Sequence, residues 1–321
     1  MKHKHKPIIG LDDAFGSRAK ALRSMQGKLL ALFETAGYEE VIPPILERPD
    51  ALKSGAGRFL ADQTVVFSDP AGAGTLAVRS DMTPQIARIA ATRLQAEKVL
   101  KLCYSGLVML ARPDVRGGSR QQWQTGVECL GVPGAAGDIE VLHLAARSML
   151  AANFSKPVLQ VGHIGLLKAL VKGTKARLET WTTLLARRSP DDLLAVINQE
   201  PSLPEDRADA LVALAKGKGD QQWIADSIGK YGAEFDHAAN ELLELVNEVG
   251  DRVEGDVCVY ADAAVMPRFL YHSGILFAGY ATDVSQALIY GGRYDAMMKA
   301  HGRDMPATGF SCDLWALLDR A

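Results

Sequence analysis

Residues 102–131, LCYSGLVMLARPDVRGGSRQQWQTGVECLG, constrain this chain more than any other stretch. They read as strand, polar loop, strand. The first arm, 102–112, is apolar enough for a buried sheet. The loop 113–119 holds Pro, Asp, Arg and two glycines, which favour turns. The second arm alternates, with Gln122, Gln124, Gly126 and Glu128 on one side and Trp123, Thr125, Val127 and Cys129 on the other. Period two marks a strand, so Gln124 and Glu128 share a face. An amide beside a carboxylate can grip a ligand carrying an ammonium and polar ring nitrogens. The same alternation also describes the solvated face of an antiparallel sheet, and spacing alone leaves both readings open.

At 321 residues the chain suits one large domain or two smaller ones. A net charge of −2 argues against a nucleic-acid binder. No apolar run approaches a membrane span and no charged-then-apolar leader opens the chain, so a cytoplasmic protein without membrane contact is expected. Cys103, Cys129, Cys258 and Cys312 are scattered without CxxC spacing, which predicts buried thiols and no disulfide or metal site. The opening MKHKHK suits a basic tail or tag, and its histidines carry no site argument.

Along the chain, an amphipathic helix is predicted from about Ser17, stopped by Gly37. Residues 38–46 form a strand interrupted by Pro43-Pro44, which places it at an edge or interface. Residues 65–68 and 75–80 make a hairpin around DPAGAG. A helix follows over 84–94, for which Asp81 or Thr83 is a suitable cap. Capping and ligand binding are competing roles for Asp81. Residues 137–152 read as helix, 156–162 as strand and 164–171 as helix. Residues 174–250 are helical and charged, an insertion with no Gly-rich phosphate loop and no His/Cys cluster. Strands are predicted over 256–262, 268–280, 285–290 and 307–312. A tight turn is expected at Gly291-Gly292-Arg293-Tyr294-Asp295 and a closing helix over 313–320.

The strings VRSDMTPQIARI, RPDVRGGSRQQWQTGVECLG, YHSGILF, GGRYD and ATGFSCDL occur in that order. Together they resemble the catalytic core of the class II histidyl-tRNA synthetases. They are still more similar to a paralogous family, the regulatory subunits of the short-form ATP phosphoribosyltransferase. The resemblance covers nearly the whole chain and is weakest over about 174–250. It implies an α+β fold: a class II aminoacyl-tRNA synthetase-like core (1–173 and 251–321), a six-stranded antiparallel sheet flanked by helices, and the helical insertion at 174–250. It also implies a dimer formed around Pro43-Pro44.

Arginines separate the two relatives. Amino-acid activation by ATP needs fixed cations where phosphate charge develops, and arginine supplies a permanent forked one. The resemblance places one such arginine at Leu110, a second at Ala316 and a third at Pro267, beside which stands Arg268. Losing one preorganised donor can cost roughly 3 kcal/mol of barrier. Several losses should silence adenylation. The chain ends directly after the last core motif, so no anticodon-binding domain is expected.

The amino-acid side of the resemblance survives. It implies histidine binding by Asp81, Thr83, Gln124 and Glu128, bordered by Tyr271 and His272, the latter standing where a tyrosine is usual. The expected function is therefore non-catalytic. The protein would activate the short catalytic subunit in a hetero-octamer and carry histidine feedback into the first step of histidine synthesis, with no cofactor. A truncated synthetase that still adenylates histidine and a stand-alone histidine sensor are the alternatives.

Overall fold

The computed structural model describes residues 8–54, 62–72, 74–94, 98–113, 118–253, 255–266, 271–282, 284 and 286–319. The chain divides into two compact units. The first comprises Met1–Val132, Ala151–Asn153 and Asp295–Ala321, the second Pro133–Leu150 and Phe154–Tyr294. No helix among the described residues is long and apolar enough to cross a membrane.

In the first unit, helix α1 (Gly16–Thr35) buries Leu22, Leu29 and Phe33, which recur at helical spacing. Each such side chain contributes about 1.5–3 kcal/mol when fully buried. The helix stops where Gly37 takes a left-handed φ of 85°, as predicted. Strand β1 (Glu39–Glu40) is short because Pro43 and Pro44 follow it without amide donors. Strand β2 (Leu46–Glu47) joins β3 (Val65–Ser68) and β4 (Thr75–Val78) in a small sheet of order β2-β4-β3. Between the first two lies the short helix α2 (Pro49–Lys53). Helix α3 (Thr83–Thr92) follows the hairpin, with Pro84 in its first turn. The 102–131 stretch yields β5 (Leu100–Met109) and β6 (Gln121–Leu130), antiparallel from Leu100↔Leu130 to Met109↔Gln121. Much of the intervening loop, 114–117, lies outside the described residues.

The second unit starts with α4 (Ala135–Ala151), then β7 (Val158–His163) and α5 (Ile164–Leu170). Five helices occupy the predicted helical stretch: α6 (Leu178–Ala186), α7 (Pro190–Ile197), α8 (Glu205–Ala215), α9 (Gln221–Ser227) and α10 (Ala233–Arg252). Strands β8 (Cys258–Ala261), β9 (Ile275–Tyr280) and β10 (Ile289–Arg293) complete it. The chain then returns to the first unit as α11 (Asp295–Ala300), β11 (Ala307–Asp313) and α12 (Leu314–Leu318).

The first unit carries the strand run β1-β5-β6-β11 and the second the run β10-β9-β7-β8. The expectation of six antiparallel strands is corrected here. Among the described residues the two runs hold eight strands, four in each unit, and each run ends in a parallel pair, β1 with β5 and β7 with β8. A parallel pair requires a long crossover, and the helices α5–α10 supply it between β7 and β8. Strands as short as β1 give a sequence reader no alternation to find.

Three further expectations change. GGRYD is no tight turn, because Gly291, Gly292 and Arg293 extend β10 and the helix waits until Asp295. The solvated face suggested for β6 does not exist, since Gln124 to Leu130 are buried on both faces. Cys258 is exposed, unlike the other three thiols, because it opens the last strand of its run.

Candidate functional site

Four of the predicted site residues meet in the first unit. The N-terminus of α3 and the middle of β6 bring them together. The Gln124 amide accepts from the Met82 backbone N–H through Oε1 at 2.8 Å. Its Nε2 donates to Asp81 Oδ1 at 2.8 Å and to Ser311 Oγ, on β11, at 3.1 Å. Asp81 Oδ1 also accepts from the Thr83 amide at 3.1 Å. The N-cap of α3 is Met82, so Asp81 stands one residue before the cap position yet still satisfies a first-turn donor. The helix-start role considered for Asp81 is thus seen in the structure. Glu128 Oε1 accepts from Tyr104 OH at 3.0 Å, and that hydroxyl lies 3.3 Å from Thr83 Oγ1. Asp81 and Glu128 are each only 1% exposed.

Two glycines clear space for this cluster. A side chain at Gly309, the register partner of Glu128, would run into the Glu128 carboxylate and the Val127 carbonyl. One at Gly126 would meet Tyr104 OH at 2.8 Å and the Phe310 carbonyl. Gly126 is the register partner of Tyr104 across β5 and β6, so the hydroxyl occupies what a Cβ would fill. Burial holds the Tyr104 hydroxyl well above its ordinary pKa, and the Glu128 and Asp81 carboxylates push the same way. Tyr104 is therefore a neutral donor. Sequence reasoning missed Tyr104 and Ser311. A large polar residue facing a glycine across a strand pair was the signal for the first.

Tyr271 and His272 belong to the second unit. Their rings lie 4.8 Å apart at 33°, and Tyr271 meets Tyr294 edge-on at 5.9 Å. Gly292 gives His272 its room, since a side chain there would strike the imidazole. Arg293 binds Asp138 at 2.8 Å and the Gly134 carbonyl at 2.8 Å, which ties β10 to the first turn of α4. The GGRYD motif therefore works by packing and clamping.

The positions matched to phosphate-binding arginines hold no cation. Leu110 is a buried aliphatic at the end of the β5 arm, and Ala316 sits half-buried on α12. Pro267 lies outside the described residues. Two nearby arginines are committed elsewhere. Arg120 Nε donates to the Leu110 carbonyl at 3.0 Å. Buried Arg79 donates to the Leu107 and Pro43 carbonyls, each at 2.7 Å, and burial lowers its pKa. Among the described residues no group of His, Cys, Asp and Glu could hold a metal ion.

The family profile described as histidyl-tRNA synthetase matches residues 10–317. The ATP phosphoribosyltransferase regulatory subunit of Polynucleobacter necessarius subsp. necessarius (strain STIR1) is 35% identical over 310 residues, covering 96% of this chain and 80% of that protein. A structure of an ATP phosphoribosyltransferase regulatory subunit/histidyl-tRNA synthetase from Bacillus halodurans C superposes with a TM-score of 0.86 at 23% identity, covering 100% of this chain and 83% of that one. The histidyl-tRNA synthetase of Nostoc sp. PCC 7120 superposes with a TM-score of 0.80 at 15% identity, covering 99% and 75%.

Proposed function

The chain belongs to the ATP phosphoribosyltransferase regulatory subunits, a histidyl-tRNA synthetase-like family, and from that premise we propose that it activates the short-form catalytic subunit and carries histidine feedback to it. One observation carries the reading. The polar cluster of Asp81, Gln124 and Glu128 is intact and hydrogen-bonded, whereas Leu110 and Ala316 offer nothing to phosphates. A protein built this way recognises an amino acid and acts through binding. Adenylation is not expected of it, because developing phosphate charge needs fixed donors.

In this reading histidine is the effector. Glu128 and Asp81 receive its ammonium and Gln124 and Thr83 its polar groups, while for Tyr271 and His272 of the second unit the aromatic role is what the resemblance implies. Charge-assisted contacts of this kind are about twice as strong as neutral ones. The effector and the catalytic subunit are the partners, with no nucleic acid, membrane or cofactor, and the assembly is a hetero-octamer in the cytoplasm.

Self-association uses the face around Pro43-Pro44. Ile42 is 81% exposed there, and Ile45, Leu46, Val66 and Phe67 are exposed with it. Leu46, Val66 and Phe67 sit on the same three-stranded sheet. Apolar side chains gathered like this mark an interaction surface.

Sizing by light scattering tests the assembly. The protein alone should run as a dimer, and mixing with the short catalytic subunit should give a larger complex at micromolar concentration. Two separate peaks at that concentration would remove the partner from the reading.

A further inference from the structure

Asp313, the last residue of β11, holds two tryptophans at once. Its Oδ1 accepts from the Trp123 amide at 2.9 Å and from the Trp315 amide at 3.2 Å. The second of these bonds caps α12. Trp123 and Trp315 then line a cavity of about 330 Å³ together with Asp12, Asp13 and Arg23. All of these residues belong to the first unit. The cavity lies on the reverse of β6 from the Asp81 cluster, because Trp123 and Gln124 point to opposite faces of the strand. It shares no residue with that cluster.

The walls are fixed from several sides. The Trp123 indole N–H donates to Ser105 Oγ at 3.1 Å. The Arg23 guanidinium lies over the Trp123 ring at 4.6 Å, and that of Arg18 over the Trp315 ring at 4.9 Å. The segment before α1 closes the remaining side. It turns at Gly10, φ 79°, whose carbonyl accepts from the Arg120 amide at 2.8 Å. Two features of this face suit a protein partner. Ile9 is 88% exposed and Phe15 82%, one on each side of the Asp12-Asp13 pair in the chain. Exposed apolar side chains gathered beside a cavity mark an interaction surface, and tryptophan and arginine carry much of the binding energy at such surfaces. Asp12 and Asp13 are exposed and form no hydrogen bond or ion pair with the described residues. Arg18 is neutralised by Asp319 at 2.9 Å, so the two carboxylates outweigh Arg23.

We propose, resting on the regulatory reading above, that this face docks the catalytic subunit by taking a basic side chain from it. The apolar stem of a lysine or arginine lies along the indoles, and its cation reaches Asp12 and Asp13. The strand explains why this face suits that partner. Gln124 of the Asp81 cluster is on the front of β6, and Trp123, the next residue, is on the back. Asp313, which holds both tryptophans, is the register partner of Gln124 across β6 and β11. Effector cluster and docking face therefore share one strand pair, a contiguous network through which occupancy of one can bias the other.

Binding kinetics on immobilised catalytic subunit, at low and high salt, test it. The unsubstituted protein should associate fast at low salt and more slowly at high salt, because salt screens exposed charges. Asp12→Asn combined with Asp13→Asn should slow association about tenfold at low salt and flatten the salt dependence. Its melting temperature and its own dimer should be unchanged, because neither carboxylate has a partner to lose. Trp315→Ala should speed dissociation about tenfold or more, as truncation of an anchoring indole does. If Trp315→Ala does not fold, the aspartate variant decides alone. Unchanged association in the aspartate variant, or unchanged dissociation in a folded Trp315→Ala, would overturn the docking face and leave the regulatory reading standing. Loss of the dimer in the aspartate variant would make the face a self-contact and overturn it too. No association of the unsubstituted protein would overturn the regulatory reading and the docking face together.

Discussion

Within the first unit, the residues matched to amino-acid recognition and those matched to phosphate handling have gone different ways. On the amino-acid side, Asp81, Gln124, Glu128, Tyr104 and Ser311 form one hydrogen-bonded group, and Gly126 and Gly309 leave room for it. On the phosphate side, Leu110 is plain core and Ala316 a small helical residue, while the nearby Arg79 and Arg120 spend donors on backbone carbonyls. The polar cluster is kept on a scaffold whose phosphate-matched positions Leu110 and Ala316 carry no cation. A buried polar cluster is costly to lose, because each orphaned partner keeps its desolvation penalty. A surface-reaching arginine can be replaced by an aliphatic residue with no such penalty.

The largest expected effect concerns the phosphate side. Histidine-dependent exchange of pyrophosphate into ATP should sit at background, since each absent donor costs roughly 3 kcal/mol of barrier. Robust exchange would erase the contrast between the two sides and revive the adenylating alternative. On the amino-acid side, Glu128→Gln should weaken histidine binding by about 1.5–3 kcal/mol in calorimetry, the range for hydrogen bonds to charged groups. Affinity indifferent to Glu128, Asp81 and Gln124 would place the effector elsewhere.

Gly309→Ala sharpens the comparison without removing a polar group. Its methyl group would collide with the Glu128 carboxylate, so unfolding in urea should show a loss of about 1–3 kcal/mol, as for other overpacked sites. An unchanged midpoint would mean that the strand pair yields easily. Tyr104→Phe should cost about 1.5–3 kcal/mol of stability, because it removes a buried hydrogen bond to the Glu128 carboxylate. Loss of histidine binding with full stability would instead make Tyr104 a ligand contact.

Much of this was legible in the sequence. The β5–β6 hairpin, the helix ended by Gly37, the Pro43-Pro44 interruption and the shared face of Gln124 and Glu128 all follow from periodicity and from residues with few backbone choices. The paired placement of Asp81 and Gln124 did not follow, because it joins positions 43 residues apart through tertiary packing. Ser311 stayed hidden for the same reason, whereas Tyr104 left a trace in the glycine that it faces across the hairpin. The GGRYD segment misled because its glycines suggest a turn, whereas Gly292 serves a close approach to His272 inside a strand. The parallel pairs at β1 and β8 were illegible because pairing direction depends on chain return, which leaves no mark in strands so short.

The central claim is that this chain controls a catalytic partner. The most direct measurement is a titration of the protein into the short-form catalytic subunit, following product formation with and without histidine. The account predicts turnover that rises to a plateau as the complex fills, because an activator can shift the partner only by its differential affinity for the active state. Histidine should then reverse the rise through a coupling of about 1–3 kcal/mol, and substrates should weaken histidine binding by the same factor. A rate that stays flat across the titration, or a raised rate that ignores histidine, would contradict it.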